Sequence, residues 1–449
     1  MTSTSPSPSL YASRDFRLLL AGQTTSQLGA QVSAVALPLL AVVALHATPF
    51  EVGLLGAAST IAFAVLGLPA GAWVDRVRRR PLLVAADVAR ALLLATIPLA
   101  ALLGLLSMGQ LLLVSLLAGV ARVFFDVGYR SYLPAVIGRD RVLAGNSSLE
   151  FVRASGQVAG PALGGVLVSL MGAASVLLVQ AGTFAVSALC LLGIRAHEDA
   201  PGRSGAGGTR APGAAPGGVS GAAAASARGA AATAGGRRMR ADIAEGLTFV
   251  FRSRVLRATA LASALSNFSF AIASAVNMVF LSRTLGLSPA MIGIVIAVGS
   301  VTVMIGAGFT TRLARAVGPV RIVWLSLAVT APLSLLGAFA QPGWWTLLIV
   351  LGIAAGEFGQ IVYAITQVSV RQQVCPDRIL GRVNATMQVV VMGLFPLGAI
   401  LGGLLGDAIG PRWTLIVAGA LLLACPVVLW TALRGARDVA DLPEAPLSA

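Results

Sequence analysis

The sequence predicts an all-α polytopic membrane protein with twelve transmembrane helices in two parallel six-helix repeats. Hydrophobic residues make up 57% of the 449 residues and charged residues only 11%, whereas soluble proteins contain about 25% charged residues. Because so few charges cannot cover a water-exposed surface, the chain is predicted to lie in a membrane. Apolar runs of about 20 residues, the length that spans a bilayer, recur along the chain, and the second half repeats the first.

The apolar runs are separated by short segments that contain most of the charges. A charged side chain in the hydrocarbon costs a few kcal/mol or more, so each charge cluster is predicted to be a turn at the membrane surface. The predicted helices cover residues 17–44, 50–73, 82–104, 107–128, 146–170, 173–194, 257–281, 288–310, 320–340, 343–368, 384–406 and 412–433.

The basic charge predicts the orientation of these helices. All 32 basic residues are arginine, and the net charge is +15. If the N-terminus is cytoplasmic, the outer loops contain only Arg283 and Arg412. Positive charge concentrates on the cytoplasmic side of membrane proteins, so both termini are predicted in the cytoplasm of a plasma-membrane protein. No nucleic-acid-binding motif accompanies the charge, which argues against a nucleic-acid partner.

Composition divides the chain into two six-helix units. Residues 1–13 are polar and rich in Ser and Pro, which predicts a disordered cytoplasmic tail. Residues 198–240 have almost no large apolar side chains, as is typical of a flexible linker. The predicted units then comprise residues 14–197 and 241–436, and residues 437–449 form a second cytoplasmic tail.

A near-constant spacing between matched residues indicates that the six-helix unit is duplicated. Chance explains single pairs of glycine- or leucine-rich segments, but it does not explain charged loops in register. Because six is even, both copies keep the same orientation, so the repeat is parallel. Matched pairs are Pro49 with Pro289, Arg141 with Arg378 and Gly165 with Gly403, at spacings of 240, 237 and 238 residues.

The turn after the second helix has a distinctive pattern of one acid and several arginines. With the twelve helices and the parallel repeat, this turn closely resembles the major facilitator superfamily, and the likeness implies that family's fold and secondary transport. One departure from the pattern is Arg78, at a position where the family commonly has glycine. The residues that match its pattern are Gly71, Asp75, Arg76, Arg79 and Arg80.

The opening stretch of helix one resembles one branch of this family, the macrolide-efflux and siderophore-exporter proteins. The resemblance rests on Phe16-Arg17, Gly22-Gln23 and Ala36-Leu37-Pro38-Leu39. That branch usually has an acid just after Gly29, where this chain has Ala30.

The repeat predicts a gate at the acid–arginine turn. Arg76 matches Arg315 of the second half, whereas Asp75 matches Ala314, so the acid occurs in one half only. We hypothesise that Asp75 closes the cytoplasmic face by bonding to the start of helix eleven.

Helix five carries a small-residue motif that resembles the antiporter pattern of the superfamily, which implies proton-coupled export. Small residues let another helix approach closely, and a proline permits a kink. Ordinary small-residue helix packing remains the alternative. The motif residues are Gly156, Gly160, Pro161, Gly164 and Gly165.

Ionisable residues inside the spans are candidates for function, because burying a charge needs a reason. Glu357 lies deep in helix ten without an arginine nearby, and its repeat counterpart is the neutral Val120. We predict that Glu357 couples protons or binds substrate. Arg122 and Asp126 share a face of helix four and are the second candidates. A self-neutralised pair and a neutral, hydrogen-bonded glutamic acid are the structural alternatives.

Polar residues on helices one, seven and ten are predicted to line a central cavity, because the resemblance places these helices around it. Interhelical hydrogen bonding is the alternative for each of them. The predicted lining residues are Gln23, Gln27, Gln31, Asn267, Asn277 and Gln360.

The predicted activity is export of a small amphipathic molecule, such as a drug or secondary metabolite, by proton antiport with alternating access. A siderophore or metabolite exporter of narrow specificity is the main alternative, and a non-transporting membrane sensor is a further one. No catalytic pair, metal-ligand cluster or phosphate-binding loop is apparent in the sequence, so an enzyme, a metal and a cofactor are not predicted. The predicted partners are the lipid bilayer, the substrate and protons, and the protein is predicted to be a monomer.

Overall fold

The chain is helical throughout the part that the computed structural model describes, which comprises residues 10–74, 77–138, 141–195 and 247–441. Within these ranges no β-strand occurs, and twelve helices are long and apolar enough to cross a membrane. The prediction of an all-α polytopic protein with twelve spans is therefore confirmed. The predicted linker at 198–240, together with Asp75 and Arg76, lies outside the described residues.

We number the membrane-spanning helices α1 to α12 in chain order, with six in each half. The helices of the first half are α1 (Arg14–Ala44), α2 (Pro49–Val74), α3 (Arg79–Leu102), α4 (Met108–Ile137), α5 (Val142–Met171) and α6 (Ala173–Gly193). Those of the second half are α7 (Arg254–Val279), α8 (Pro289–Val317), α9 (Arg321–Leu335), α10 (Leu347–Val374), α11 (Asp377–Ile409) and α12 (Pro411–Leu433).

Several helices extend beyond their predicted limits. Helices α4, α8 and α10 end at Ile137, Val317 and Val374 rather than at residues 128, 310 and 368, and α11 begins at Asp377 rather than at residue 384. The predicted limits followed the apolar runs, which stop at the first charges. Arginine and glutamine are good helix formers, so these helices continue past the apolar segment, and the predicted limits were wrong there.

The two halves pack in the same way. In the first half α1 packs on α5 and α6, α3 packs on α4 and α6, and α2 packs on α4. In the second half the equivalent pairs are α7 with α11 and α12, α9 with α10 and α12, and α8 with α10. This correspondence confirms the predicted parallel repeat. The halves join through α2 against α11 and α5 against α8.

The bundle has two distinct ends, which we call the terminus end, where α1 begins and α12 finishes, and the far end. At the far end, Gly172 and Gly410 form matching turns with φ of 80° and 84°, a region that favours glycine. Exposed tryptophans also occur there, at Trp344, Trp345 and Trp413. Because tryptophan concentrates at membrane–water boundaries, these residues mark the membrane surface at the far end.

The described part of the N-terminal tail contacts the bundle. Leu10–Ala12 form a short 3-10 helix, within the segment that was predicted to be disordered. The hydroxyl of Tyr11 hydrogen-bonds to the hydroxyl of Ser148 on α5 at 3.1 Å, and its ring packs edge-on against Phe16. The prediction of disorder therefore does not extend to residues 10–13.

Candidate functional site

The first contact between the halves joins α5 to α8. A Cβ atom on Gly165 would lie only 2.4 Å from the carbonyl oxygen of Pro289 and 2.8 Å from the Cα of Gly293. One turn further along α5, Ser169 Oγ accepts a hydrogen bond from the backbone N–H of Ala290 at 2.9 Å. The first N–H groups of a helix have no partner within it, so α5 both packs closely against α8 and caps its N-terminus.

The second contact repeats the first with the halves exchanged, and joins α11 to α2. A Cβ atom on Gly403 would lie 2.6 Å from the Cα of Phe50 and 2.9 Å from the carbonyl oxygen of Pro49. Asp407 Oδ1 accepts a hydrogen bond from the backbone N–H of Phe50 at 3.3 Å. Asp407 lies 238 residues after Ser169. Each half therefore caps a helix of the other, and we call the Ser169–Ala290 and Asp407–Phe50 bonds the reciprocal caps.

A third bond between the halves comes from Arg283, one of the two arginines that the sequence assigns to the outer loops. Arg283 lies in a π-helical turn, Phe280–Thr284, and its guanidinium donates to the carbonyl oxygen of Val42 at 2.9 Å. Val42 is in the last turn of α1, where carbonyl groups lack intrahelical donors. The three bonds lie at the far end, where they hold the halves together.

Hydrophobic packing follows the same division. The largest cluster of buried residues lies towards the far end and mixes the two halves, for example Leu39 and Val168 with Met278 and Ile292. Among the described residues, each of the other four buried clusters contains side chains of one half only. Among the described residues, the mixed hydrophobic contacts between the halves are therefore concentrated towards the far end.

The residues of the predicted antiporter motif contact two different helices, α1 and α8. Gly156, Gly160 and Gly164 face α1, and a Cβ atom on Gly160 would lie 2.3 Å from the Cβ of Gln31. Gly165 and the carbonyl of Pro161 face Gly293 of α8 in the other half. The motif thus fixes α5 to its own half on one side and forms the contact between halves on the other.

The predicted pair on α4 is present and exposed. Arg122 Nε lies 3.6 Å from Asp126 Oδ2, and the two side chains are 71% and 40% exposed. Helix α4 packs mainly on α2 and α3 of its own half. The pair therefore lies on the side of α4 that α2 and α3 leave uncovered.

Glu357 lies on α10 against α8. A Cβ atom on Gly299 would lie 3.4 Å from the Cγ of Glu357, so this glycine leaves room for the acidic side chain. The side chain is partly buried, and it has no hydrogen-bond or ion-pair partner among the described residues. The structure therefore contains a carboxyl group within the membrane without a compensating cation nearby.

Two of the predicted lining residues form hydrogen bonds between helices. Ser266 Oγ on α7 donates to Gln360 Oε1 on α10 at 2.9 Å, and Asn267 Nδ2 donates to the carbonyl oxygen of Val391 on α11 at 2.8 Å. In the same layer the Tyr363 hydroxyl bonds to Ser263 at 2.7 Å. In this conformation, Asn267 and Gln360 therefore tie helices together within the second half.

The other predicted lining residues have no such partners in the described part of the chain. Gln27 and Gln31 contact the α5 glycines, Gln23 Oε1 is buried without a hydrogen bond, and Asn277 is partly buried. Burying an unpaired amide costs free energy. The amide oxygen of Gln23 therefore lacks a compensating hydrogen bond in this conformation.

Replacing Tyr363 by phenylalanine tests the polar layer of the second half. The change removes a buried hydroxyl that also donates to the carbonyl oxygen of Thr259 at 3.2 Å. We expect a loss of about 0.5–1.5 kcal/mol in stability, measured as a lower thermal midpoint of the purified protein in detergent. Tyr11→Phe removes an exposed hydroxyl bond and is the matched control. An equal loss in both variants would contradict a special role for the buried layer.

The acid–arginine turn is described only in part. Gly71 lies in the last turn of α2, with open space where a Cβ atom would be. Arg79 opens α3, and Arg80 donates to the carbonyl oxygens of Leu191, at 2.9 Å, and Leu192. Arg80 therefore caps the C-terminus of α6 in its own half.

The structure also shows a buried charge pair that sequence reasoning did not select. Asp87 and Arg90 on α3 form an ion pair with 0% and 8% of their side chains exposed. The guanidinium lies between the rings of Phe125 on α4 and Phe184 on α6, 4.5 and 4.1 Å from their centroids. The signal was an acid and a base three residues apart in an apolar run, but the sequence did not show which way they face.

The family and its relatives agree with this architecture. The model of the Major Facilitator Superfamily matches residues 19–275 and 259–448. The multidrug efflux pump Tap of Mycolicibacterium fortuitum is 26% identical over 435 residues, which cover 95% of this chain and 96% of that protein. An uncharacterized MFS-type transporter of Bacillus subtilis (strain 168), YfiS, is 26% identical over 422 residues, covering 90% of each chain.

Solved structures show the same fold. A bacterial homologue of the iron transporter ferroportin, in an inward-facing state, superposes with a TM-score of 0.70 at 17% identity, covering 93% of this chain and 98% of that one. A bacterial homologue of the human lysosomal transporter Spinster superposes with a TM-score of 0.66 at 15% identity, covering 96% and 98%.

Proposed function

The chain belongs to the major facilitator superfamily and is a multi-pass membrane transporter rather than an enzyme, and we propose that it exports a small amphipathic molecule by proton antiport. Export is supported by the likeness to the efflux pump Tap over nearly the whole chain. The single observation that supports the mechanism is the concentration of contacts between the halves at the far end. In the proposed cycle, this state admits a solute from the terminus end.

Transport requires the far end to open and the terminus end to close. The contacts between the halves include two glycine contacts, the reciprocal caps and the Arg283–Val42 bond. The largest hydrophobic cluster mixes both halves and lies towards the far end, so its side chains must rearrange when the far end opens. The halves can therefore rock about this region, as alternating access requires.

The proposed coupling sites lie one in each half. In the second half, Glu357 is a carboxyl without a nearby cation, and such a group changes protonation easily when its access to water changes. In the first half, Asp126 faces the opening with Arg122 beside it. Proton entry at the far end would favour closure onto these acids, and release at the terminus end would complete the cycle.

We propose that the terminus end faces the cytoplasm of the plasma membrane, because the arginines concentrate there. Arg283 and Arg412 are the exceptions, and both donate to carbonyl oxygens at helix ends. These two arginines therefore have a structural role at the far end that explains their presence in outer loops.

An efflux assay tests the proposal directly. Cells of a strain that lacks other pumps are loaded with ethidium or Hoechst 33342, and dye loss is followed with and without the protein and with a protonophore. We expect faster loss that the protonophore abolishes. Fast efflux that persists without a proton gradient would reject antiport. No effect on a wide panel of amphipathic compounds would reject export.

Removing a reciprocal cap should open the far end. Ile292 is fully buried at the far end, so a cysteine placed there should react with a thiol reagent only when the far end opens. The Ile292→Cys change is made in a chain without other cysteines, and the rate at which the new thiol is labelled is recorded. We call this measurement the far-end accessibility assay. Asp407→Ala removes an N-cap worth about 1 kcal/mol, so labelling should rise about fivefold. Asp407→Asn keeps an acceptor oxygen and is the matched control. Equal labelling in Asp407→Ala and the parent would show that the cap does not hold the far end closed.

A further inference from the structure

Two aromatic rings of the second half meet between α7 and α11, and one of them is largely uncovered. The ring of Phe270 on α7 lies 6.3 Å from that of Phe395 on α11, measured between centroids, and the ring planes are tilted by 46°. Phe270 is 55% exposed, whereas Tyr363, the aromatic residue that bonds α10 to α7, is 2% exposed. We call Phe270 and Phe395 the aromatic pair. The pair joins two helices and still leaves much of Phe270 free for contact.

The aromatic pair lies deep within the bundle. Phe270 is the 17th of the 26 residues of α7, and Phe395 is the 19th of the 33 residues of α11. At a rise of 1.5 Å per residue, Phe270 is about 24 Å along α7 from its start. Transporters built from repeats bind their solutes near the middle of the bilayer, so the pair lies at a suitable depth for a solute site.

Helix α7 forms the floor of a recess whose walls are α10 and α11. Ser266 on α7 bonds to Gln360 on α10, and Asn267 bonds to Val391 on α11. Helix α10 packs mainly on α8 and α9, and α11 mainly on α7 and α2, so the two walls are held apart. Phe270 follows Ser266 by four residues and therefore lies on the same face of α7, one turn further along. Its ring is thus placed in the recess.

Contact with lipid is the alternative explanation for an exposed ring. Helix α7 is the most buried of the twelve described spans. Another side of α7 is covered by α12, where Ser269 Oγ donates to the carbonyl oxygen of Ala418 at 2.6 Å and Cys425 Sγ lies 3.6 Å from the carbonyl oxygen of Ala262. An exposed side chain on so deeply buried a helix favours an internal space over the lipid.

The duplicated fold does not require rings at these positions. The equivalent residues of the first half are Ala30, 240 residues before Phe270, and Gln157, 238 residues before Phe395. These are the spacings that relate Pro49 to Pro289 and Gly165 to Gly403. The aromatic pair is therefore a feature of one half, which points to a role beyond holding the helices together.

We propose that the aromatic pair binds an aromatic ring of the exported solute, and that Phe270 and Phe395 determine specificity. Aromatic rings prefer tilted or offset contacts with centroids 4.5–7 Å apart. The two phenylalanines already have this geometry, and a third ring can pack in the same way against the uncovered part of Phe270. The proposal rests on the proposed export and narrows its solute class from amphipathic molecules to aromatic ones.

A matched pair of cations tests this binding without the need for transport. Tetraphenylphosphonium and tetrabutylphosphonium have the same charge and four substituents, but only the first has rings. Their dissociation constants for the purified protein are measured by equilibrium dialysis. Phe270→Leu keeps an apolar side chain without a ring, so it should weaken tetraphenylphosphonium binding by about 2- to 12-fold and change tetrabutylphosphonium binding less than twofold. An equal loss for both cations would overturn the proposal.

Three further variants separate the ring from general effects on folding. Phe270→Tyr keeps the ring and should bind tetraphenylphosphonium like the parent. Phe395→Leu should weaken its binding as Phe270→Leu does, and parent-like binding in both leucine variants would overturn the proposal. Phe151→Leu is the matched control, because Phe151 on α5 is 73% exposed and lies in the other half. An equal loss in Phe151→Leu would show that any exposed phenylalanine contributes in this way.

Thiol labelling tests whether the recess is reached from water. Phe270→Cys is made in a chain without other cysteines, reconstituted in vesicles and treated with a water-soluble thiol reagent. It should be labelled, and tetraphenylphosphonium should slow the reaction. Val186→Cys on α6, at a position 45% exposed, is the control for a thiol that faces lipid. Labelling of Phe270→Cys no faster than that of Val186→Cys would place Phe270 against lipid and overturn the proposal.

Failure of this proposal and failure of the proposed function are distinguishable. If the parent exports dye and the leucine variants bind both phosphonium cations as the parent does, only the role of the aromatic pair fails. If the parent exports no compound of the amphipathic panel, the proposed export itself fails.

Discussion

Replacing Gly165 by alanine is expected to arrest transport with the far end open. The added Cβ atom would lie 2.4 Å from the carbonyl oxygen of Pro289 and 2.8 Å from the Cα of Gly293. Both are backbone atoms that cannot rotate away, so α5 and α8 must separate. Overpacking of this kind costs about 1–3 kcal/mol. The ratio of closed to open far ends should therefore fall by about 5- to 150-fold.

The far-end accessibility assay and dye efflux together check this expectation. Gly165→Ala should raise labelling at the far end and slow efflux, and Gly403→Ala should do the same because its Cβ atom would meet the backbone of Phe50. Gly182→Ala is the matched control, since it lies within α6 with nothing within 4 Å of the new atom. Unchanged labelling in Gly165→Ala at normal expression would show that this contact does not control the far end.

Replacing Glu357 by glutamine is expected to uncouple transport from the proton gradient. The amide keeps the shape of the side chain beside Gly299 but cannot release a proton. One pH unit is worth about 1.4 kcal/mol per proton, so a one-unit gradient drives about tenfold accumulation per coupled proton. In vesicles with such a gradient, the Glu357→Gln variant should lose this accumulation while exchange of dye for dye continues.

Glu150→Gln provides the matched control for that change. Glu150 is 65% exposed and paired with Arg153, so its replacement should leave accumulation intact. Gradient-driven accumulation at the parent level in Glu357→Gln would exclude Glu357 as the coupling residue. Loss of both accumulation and exchange would indicate a substrate-binding role instead.

The fold was predictable because the features that determine it, the length of the apolar runs and the spacing of the repeat, can be read along the sequence. Apolar runs long enough to cross a bilayer identified the helices, and the spacing of Gly165 and Gly403 revealed the repeat whose contacts the structure shows. Helix ends were less predictable, since the apolar run ends at residue 128 while α4 continues to Ile137. A charged residue marks where the hydrocarbon core of the bilayer ends, but the helix itself can continue beyond that point.

The candidate site was only partly predictable, because the direction of a side chain depends on packing. The sequence identified Asn267 and Gln360 as polar, yet only the structure shows them bonded to neighbouring helices. Asp87 and Arg90 are also evident in the sequence. The sequence of α3 alone, however, does not show whether this pair faces lipid or packs against the rings of Phe125 and Phe184. The direction in which a side chain faces depends on contacts between segments that are distant in the sequence, and these contacts cannot be read from the sequence.

The two reciprocal caps use chemically different acceptor groups. The α11–α2 seam is closed by the carboxylate of Asp407, and the α5–α8 seam by the neutral hydroxyl of Ser169. Hydrogen bonds to an ionised group are about twice as strong as neutral ones. The Asp407 bond is longer, however, at 3.3 Å against 2.9 Å for the Ser169 bond, so charge and distance offset each other and the two seams are expected to part with similar ease despite their different acceptors.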